Sequence, residues 1–288
     1  MLMLRCARDL LFLATSLAVT ALTTAAQSTP GRQISAGGRT WWLSCVGSGT
    51  PTVVLEAGHT EGADTWRQVQ PQVAAFTRVC SYDRAGVGRS GPVPARAADR
   101  SATDVAGDLA TLLGTADERG PFVLVGHSLG GPLVRVFAAR VPTEVVGMVL
   151  IDAVNEREFS ALDSLLTPAQ RAEGAGMRPM SPEHFDIEGV LRQAAQTARP
   201  LSWPLIVVAR GRPLSANEIP PSWTPAQRQR REQLRRTLQR ELAALSPTGT
   251  LIFADSSGHH VHHDQPHLVV SAIRQLVETA RRARGPGG

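Results

Sequence analysis

Residues 122–140 read FVLVGHSLGGPLVRVFAAR, and this stretch decides the fold. It begins with a continuous apolar run at 122–125, which is typical of a strand buried on both faces. Residues 129–140 then predict a helix. Between strand and helix lies the pattern G-x-S-x-G at 126–130, which places Ser128 on a sharp turn. Both glycines of the pattern are expected because strand and helix pass too close there for a Cβ atom. Ser128 is therefore a candidate nucleophile.

The rest of the chain alternates between short apolar runs and helical patterns. Ser101 and Asp104 resemble a capping box at the start of one helix. The predicted strands are 40–45, Thr52–Glu56, 78–82, 122–125, Val145–Ile151, 205–209 and Thr250–Ala254. The predicted helices are 101–115, 129–140, 228–245 and one that begins at Pro266. This alternation predicts an α/β fold with a doubly wound, mostly parallel sheet covered by helices on both faces.

Residues 153–203 interrupt this alternation. The segment lacks a clear strand pattern and contains several proline and glycine residues. We therefore predict that it is an inserted helical cap over the strand ends. Residues 27–152 and 204–288 are then expected to form the core of the fold.

Residues 1–26 have the features of a secretory signal peptide. Arg5 and Arg8 precede an apolar run at 10–22, which is shorter than the about 20 residues that a transmembrane helix needs. Small residues follow and end at Ala26, the expected cleavage site. We predict export to the periplasm or the medium, with no stable membrane association after cleavage. An uncleaved N-terminal anchor is the alternative.

Composition excludes several classes of protein. Hydrophobic residues make up 42% of the 288 residues and charged residues 19%, which is an ordinary globular composition. The net charge is +5, but the basic residues, all arginine, are interspersed with acids, so no nucleic-acid partner is predicted. Three cysteines are too few for a disulfide scaffold or a four-cysteine zinc site. The chain has no P-loop and no dinucleotide fingerprint, and we predict no cofactor.

Three further motifs accompany the serine motif. They are Glu56-Ala57-Gly58-His59, Asp83-Arg84-Ala85-Gly86-Val87-Gly88-Arg89-Ser90 and Ser257-Gly258-His259. With them the sequence resembles the α/β-hydrolase fold superfamily over essentially the whole chain after residue 26. The first motif departs from the family, because Glu56-Ala57 replaces the usual residues while Gly58 is kept. The resemblance implies an eight-stranded type of sheet, and it implies that Asp83 and Arg84 hold a turn beside the site.

The resemblance also implies catalytic roles around Ser128. His259 follows the last predicted strand and would accept the proton of the Ser128 hydroxyl, then return it to the leaving group. The backbone N–H groups of Leu129 and His59 would form the oxyanion hole.

Asp152 is the predicted acid that orients His259. It directly follows a buried strand, at the carboxyl end where α/β folds keep their chemistry. Most relatives carry the acid after the strand that here is 205–209, but no acid follows that strand before Glu218. Glu218 is therefore an alternative. Asp255 is a weaker one because it lies very near His259 in sequence.

The loop of His259 contains three more histidines, His260, His262 and His263. Gly258 stands directly before His259 and selects it as the base. The loop is interpreted as a polar segment, and no metal is predicted because no cysteine or H-E-x-x-H pattern accompanies it. A metal site stays open as an alternative, since histidine-rich tracts bind metals.

A serine nucleophile favours acyl transfer through a covalent acyl-enzyme. The first interpretation is a carboxylic ester hydrolase acting on a small-molecule ester or amide. An aminopeptidase of the proline-iminopeptidase type, a lactonase or a C–C bond hydrolase are alternatives. A binding module on an inactive hydrolase fold is a further alternative, although the nucleophile and the base are both present.

Cys45 and Cys80 are predicted to form a disulfide. In the family that the sequence resembles, the second and fourth strands usually lie side by side, and these cysteines belong to those two strands. Export would supply an oxidising compartment. Cys6 would leave with the signal peptide, and two buried free thiols are the alternative.

Overall fold

The structure is a computed structural model that describes residues 30–93, 99–176, 182–197, 200–215 and 218–285. The predicted signal peptide lies outside the described residues. The strands are β1 (Arg32–Ala36), β2 (Arg39–Val46), β3 (Thr52–Glu56), β4 (Val79–Asp83), β5 (Phe122–His127), β6 (Val145–Ile151), β7 (Leu205–Arg210) and β8 (Thr250–Ala254). The helices are α1 (Gln70–Ala74), α2 (Ala102–Thr115), α3 (Gly130–Arg140), α4 (Glu158–Asp163), α5 (Pro168–Gly176), α6 (Ile187–Gln196), α7 (Pro225–Ala243), α8 (Val261–Asp264) and α9 (Pro266–Arg284), and a short 3-10 helix at Ala63–Trp66 precedes α1.

The strands form one eight-stranded sheet in the order β1-β2-β4-β3-β5-β6-β7-β8. The pairs β1–β2 and β2–β4 are antiparallel, and the pairs from β4 through β8 are parallel. The predicted mostly parallel α/β sheet is confirmed, and it is the sheet of the α/β-hydrolase fold.

Apolar side chains cover both faces of the sheet. On one face, Leu112 of α2 and Phe137 of α3 are among the residues that pack against Leu124 of β5. On the other face, Val73 of α1 and Ile273 of α9 belong to the second core. The central strands are therefore buried on both sides, which explains their continuous apolar sequences.

The structure differs from the sequence prediction in one missed strand and in the boundaries of some helices and strands. Strand β1 was not predicted, because its five residues RQISA are short and mostly polar. Helix α7 begins at Pro225 rather than 228, since the side chain of Thr224 caps it by accepting from the Gln227 N–H. The capping box of Ser101 and Asp104 is confirmed at the start of α2.

Neighbouring strands bring the two predicted strand-end residues together. His127 pairs with Ile151 across β5 and β6, so the residues that follow, Ser128 and Asp152, leave the sheet side by side. This register places the serine turn and the carboxylate at the same edge of the sheet.

The segment between β6 and β7 forms α4, α5 and α6. Helix α6 packs on α2 and α3, whereas α4 packs on α7. A second segment, from residue 218 to the beginning of α7, shares a cleft with α4 and α5, and His259 also lines this cleft. We call these two segments, which precede and follow β7 in sequence, the cover. The predicted cap at 153–203 contains only the first of them, and it stays a prediction.

Cys45 of β2 lies opposite Cys80 of β4 in the antiparallel register, and the structure joins their sulfur atoms in a disulfide. The disulfide therefore links β2, in the antiparallel part of the sheet, to β4, which also pairs with the parallel strand β3. Within the described ranges, no helix has the length and the apolar character that crossing a membrane requires.

Candidate active site

Ser128 occupies the tight turn between β5 and α3. Its φ is +52°, in the left-handed region that a non-glycine residue rarely adopts. The turn is held because the Ser128 N–H donates to the Ile151 carbonyl at 3.0 Å. A Cβ atom on Gly126 would lie 2.5 Å from the Gly130 carbonyl oxygen, and one on Gly130 would lie 2.5 Å from that of Glu56. Both glycines are therefore required by close backbone contacts.

His259 lies within hydrogen-bonding distance of Ser128. Its Nε2 is 3.0 Å from the Ser128 Oγ. Burial lowers the pKa of His259 to about 4, and the neighbouring His260 and the Arg210 guanidinium act in the same direction. The imidazole is therefore neutral at neutral pH, which is the state that a general base needs.

Asp152 completes the hydrogen-bonded chain. Its Oδ2 lies 2.6 Å from the Nδ1 of His259, and its backbone has a φ of +42°. The Nδ1–H donates to this carboxylate, which leaves the Nε2 lone pair directed at the serine. The alternative acid, Glu218, instead accepts from the Ser215 N–H at 2.9 Å, and Asp255 is exposed. The geometry thus favours Asp152 among the three carboxylates.

Two buried arginines flank Asp152, and the sequence analysis missed both. The backbone N–H of Arg210 donates to Asp152 Oδ1 at 3.0 Å, and the guanidinium Nε of Arg210 lies 3.6 Å from Asp152 Oδ2. The guanidinium of Arg235, from α7, also contacts Oδ1. Burial lowers the pKa of Arg235 to about 10, so it keeps its positive charge at neutral pH. These cations balance the buried negative charge of Asp152, and no local sequence pattern connects them to it.

The two predicted oxyanion-hole groups are available as donors. Among the described residues, the N–H groups of Leu129 and His59 make no hydrogen bond to protein. The Gly58 N–H differs, since it donates to Glu61 Oε2 at 3.0 Å. The imidazole of His59 is half-buried, with its ring centre 6.2 Å from that of Phe185. Two free N–H groups near the serine turn can hold a developing oxyanion.

Arg84 fixes the loop that carries His59. Its guanidinium donates to the Ala57 and Gly58 carbonyls at 2.8 and 2.6 Å. The same guanidinium pairs with Glu56 at 2.6 Å and with Glu183 at 2.5 Å. The structural role predicted for Arg84 agrees with these contacts. Glu183 could not be predicted because it lies in the segment without a sequence pattern.

Asp83 also has contacts that agree with a structural role. It accepts hydrogen bonds from the Ala63 N–H at 2.6 Å and from the Arg89 N–H at 2.8 Å. Ala63 begins the short 3-10 helix, and Arg89 lies in the segment that follows β4. Asp83 therefore joins these two segments.

A mostly apolar cleft of about 520 Å³ leads to His259. Segments on either side of β7 supply its walls. Its apolar lining includes Phe159, Leu162, Leu166, Ala175, Ile219, Pro220 and Trp223. Asp163, Arg171, Glu218 and Arg231 contribute polar groups to the lining. Such a cleft can hold an apolar chain of a small-molecule substrate.

The remaining histidines of the loop make contacts away from Ser128. His260 Nε2 lies 2.9 Å from Glu61 Oε1, and His263 Nε2 lies 2.9 Å from the Thr65 carbonyl. His262 is fully buried. Glu61, His127 and His262 each offer one atom suitable for ligating a metal, within 4.8 Å of one another.

Comparisons with known proteins agree with this fold. Residues 49–272 match the model of the alpha/beta hydrolase family. The chain is 28% identical to the uncharacterized protein YqjL of Bacillus subtilis, over 79% of this chain and 83% of that protein. It is 32% identical to a monoacylglycerol lipase of Mycolicibacterium smegmatis, over 52% of this chain and 55% of that one. Among solved structures, an esterase from Thermogutta terrifontis has a TM-score of 0.59 at 18% identity, covering 87% of this chain and 99% of that one. At that identity the likeness shows the fold alone.

Proposed function

The chain belongs to the alpha/beta hydrolase family, and we propose that it is a serine hydrolase that cleaves carboxylic esters of small molecules. One observation carries the proposal. Ser128, His259 and Asp152 form a continuous hydrogen-bonded chain, with 3.0 Å from Oγ to Nε2 and 2.6 Å from Nδ1 to Oδ2. A neutral imidazole between a hydroxyl and a carboxylate is the arrangement that activates a serine.

The proposed reaction has two halves. Ser128 Oγ attacks the ester carbonyl carbon while His259 Nε2 takes its proton. The carbonyl oxygen becomes an oxyanion held by the N–H groups of Leu129 and His59. The intermediate then collapses, the bond to the alcohol oxygen breaks, and His259 returns the proton to that oxygen. Water, deprotonated by His259, attacks the acyl-enzyme, which releases the acid and restores Ser128.

The cleft supports an ester with an apolar acyl or alcohol part. Phe159, Leu162 and Trp223 face the space beside His259, and a buried apolar group gains about 0.8 kcal/mol per CH₂. One of the relatives named above is described as a monoacylglycerol lipase, which is consistent with this class of substrate.

The experiment compares esters with amides. The full chain is purified and assayed against p-nitrophenyl esters of increasing acyl length and against proline amides, with Ser128→Ala as the blank. We expect turnover of the esters, with kcat/KM rising over the first few CH₂ groups and then levelling when the cleft is full. Faster turnover of the proline amides, or ester turnover equal to that of the blank, would contradict the proposal.

We also propose that the protein is exported, with cleavage near Ala26. The apolar run at 10–22 and the disulfide between Cys45 and Cys80 support this. N-terminal sequencing of protein recovered from the periplasm or the medium should begin at Gln27. A chain that keeps its first residues in the membrane fraction would instead support an uncleaved anchor.

A further inference from the structure

A histidine cluster lies directly beside His259. We define this cluster as Glu61, His127, His260, His262 and His263. The ring centres of His127 and His262 are 4.4 Å apart, and those of His262 and His263 are 4.2 Å apart. The carboxylate of Glu61 is within 2.9 Å of both His127 Nδ1 and His260 Nε2. The cluster thus gathers several metal-binding atoms around one carboxylate.

The hydrogen bonds of His127 identify the nitrogen that carries its lone pair. His127 Nε2 lies 3.1 Å from the His259 carbonyl oxygen. A carbonyl can only accept, so Nε2 carries the proton. In the singly protonated ring, Nδ1 then presents a lone pair to Glu61 Oε2 at 2.9 Å. Two lone pairs that face each other at this distance need a positive ion between them, either a second proton on His127 or a metal ion.

His262 provides a second, independent observation. His262 has no exposed surface, and its Nε2 lies 2.9 Å from the Thr65 hydroxyl. Its Nδ1 is buried and, among the described residues, has no hydrogen-bond partner. A buried polar atom without a partner is unusual in a folded protein. A cation bound beside Glu61 and His127 would satisfy this nitrogen as well.

We propose that Glu61, His127 and His262 form a binding site for a divalent transition-metal ion of the zinc type. Each residue offers one ligand atom, and these atoms lie within 4.8 Å of one another. Two imidazoles and one carboxylate are a donor set that Zn²⁺ accepts, with bonds of about 2.0–2.2 Å. No metal was predicted from the sequence because neither a cysteine nor an H-E-x-x-H pattern accompanies the histidine-rich loop, although a metal site in that loop was left as an alternative. Two of the three ligands proposed here, Glu61 and His127, lie outside that loop.

Metal binding at this site has a consequence for the reaction, and this consequence rests on the proposed function. The ring centre of His127 is 4.7 Å from that of His259, and the His127 Nε2–H donates a hydrogen bond to the His259 carbonyl oxygen. A bound dication places positive charge beside the imidazole that must become an imidazolium during acyl transfer. Zinc is therefore expected to inhibit ester hydrolysis without contacting Ser128.

The test of binding uses the full chain without a polyhistidine tag. The protein is stripped with a chelator, dialysed against ZnCl₂ and analysed for zinc, and its unfolding midpoint is measured with and without the ion. We expect one zinc per chain and a raised midpoint, because an ion that binds only the folded state stabilises it. Wild-type protein that retains no zinc would overturn the proposal.

Variants separate this site from other histidines. His262→Phe keeps a ring of similar size, and Glu61→Gln keeps the shape of the side chain. Each should lose the zinc and the midpoint shift, whereas His267→Ala, which removes an exposed histidine of α9, should keep both. Unchanged zinc uptake by both His262→Phe and Glu61→Gln would refute the site. If one of the two variants does not fold, the other still decides.

Inhibition is measured separately on any ester that the enzyme turns over. Zinc should lower the kcat of wild type and of His267→Ala to a similar degree and leave that of His262→Phe unchanged. Because zinc uptake is measured without a substrate, a protein that binds zinc but hydrolyses no ester would disprove the proposed function and not the metal site.

Discussion

Arg84 and Glu183 form a buried ion pair in which Arg84 Nε lies 2.5 Å from Glu183 Oε1. Glu183 Oε2 also accepts from the Thr60 N–H at 2.8 Å. Arg84 holds the loop of His59, so this pair connects the segment between β6 and β7 to the proposed oxyanion hole. The geometry of the proposed catalytic centre therefore depends on a residue of the segment between β6 and β7.

The first prediction concerns this ion pair. Glu183→Gln keeps an acceptor for Thr60 but removes the charge that faces Arg84. Because it breaks a buried pair, the free energy of unfolding should fall by about 3 kcal/mol in urea titration. The control is Glu188→Gln, on an exposed part of α6, which should change this free energy by less than about 0.5 kcal/mol. Equal effects of the two substitutions would contradict the prediction.

The second prediction is the pH dependence of that effect. Burial alone would raise the pKa of Glu183, but the charge and the hydrogen bonds of Arg84 hold it below the usual 4.5. The unfolded chain therefore binds a proton at this carboxyl at a higher pH than the folded protein does. The stabilisation is fully present above about pH 4.5 and is lost as pH falls through the lowered pKa.

The measurement is the difference in unfolding free energy between wild type and Glu183→Gln at several pH values. Glu56, Tyr82, Arg100 and His59 also surround this pair, and the charge of Glu183 acts on Glu56, His59 and Arg100, so the difference reports Glu183 together with its coupling to these groups. The difference should be constant near neutral pH and shrink in acid. A difference that grows as pH falls would show that the carboxyl is not stabilised in its charged form.

The third prediction tests the nucleophile. A fluorophosphonate probe should label wild-type protein and leave Ser128→Ala unlabelled, because only the activated serine attacks phosphorus. Turnover should fall by about 10⁴-fold or more, since the residues of a triad act as a unit. Ser160→Ala, on an exposed position of α4, should label like wild type.

The fourth prediction distinguishes the candidate acids. Asp152→Asn should lower kcat by about 10³–10⁴-fold with folding intact, because the amide no longer fixes the tautomer of His259. Glu218→Gln should stay close to wild type, since that carboxylate bonds Ser215. Steady-state kinetics on one ester, with circular dichroism as the folding control, measures both. A large loss of turnover in Glu218→Gln, together with near-normal turnover in Asp152→Asn, would identify Glu218, which follows β7, as the acid.

The fifth prediction concerns the disulfide. Cys45 and Cys80 are 35 residues apart, and a closed loop of this length stabilises by about 3–4 kcal/mol in the chain-entropy model. Alkylation of the denatured, unreduced protein should add no alkyl group at these two positions in intact-mass analysis. Cys45→Ala/Cys80→Ala should unfold at a lower urea concentration. Two alkyl adducts on the unreduced protein would show free thiols.

The positions of Ser128 and His259 could be predicted because each lies in a short local motif. Ser128 lies in G-x-S-x-G at a tight turn, and His259 lies in Ser-Gly-His after the last strand. Asp152 was predicted from its place at a strand end. Arg210, Arg235 and Glu183 were not, since their contacts join segments far apart in sequence and leave no periodic signal. The catalytic roles of Ser128, His259 and Asp152 stay predictions, and the structure supplies the distances that make these roles testable.

Among the residues that the structure describes, the cleft beside His259 has no wall residue from a strand of the sheet. Apart from His259, its described lining residues come from 159–175 and 218–231, the two segments that border β7. Ser128 and Asp152 are carried by β5 and β6 instead. Under the proposed function, the residues that contact the acyl group and the residues that break the bond therefore lie in different parts of the chain, with His259 common to both. We expect a mutant library confined to the two segments to change acyl preference while Ser128 and Asp152 keep their positions at the strand ends.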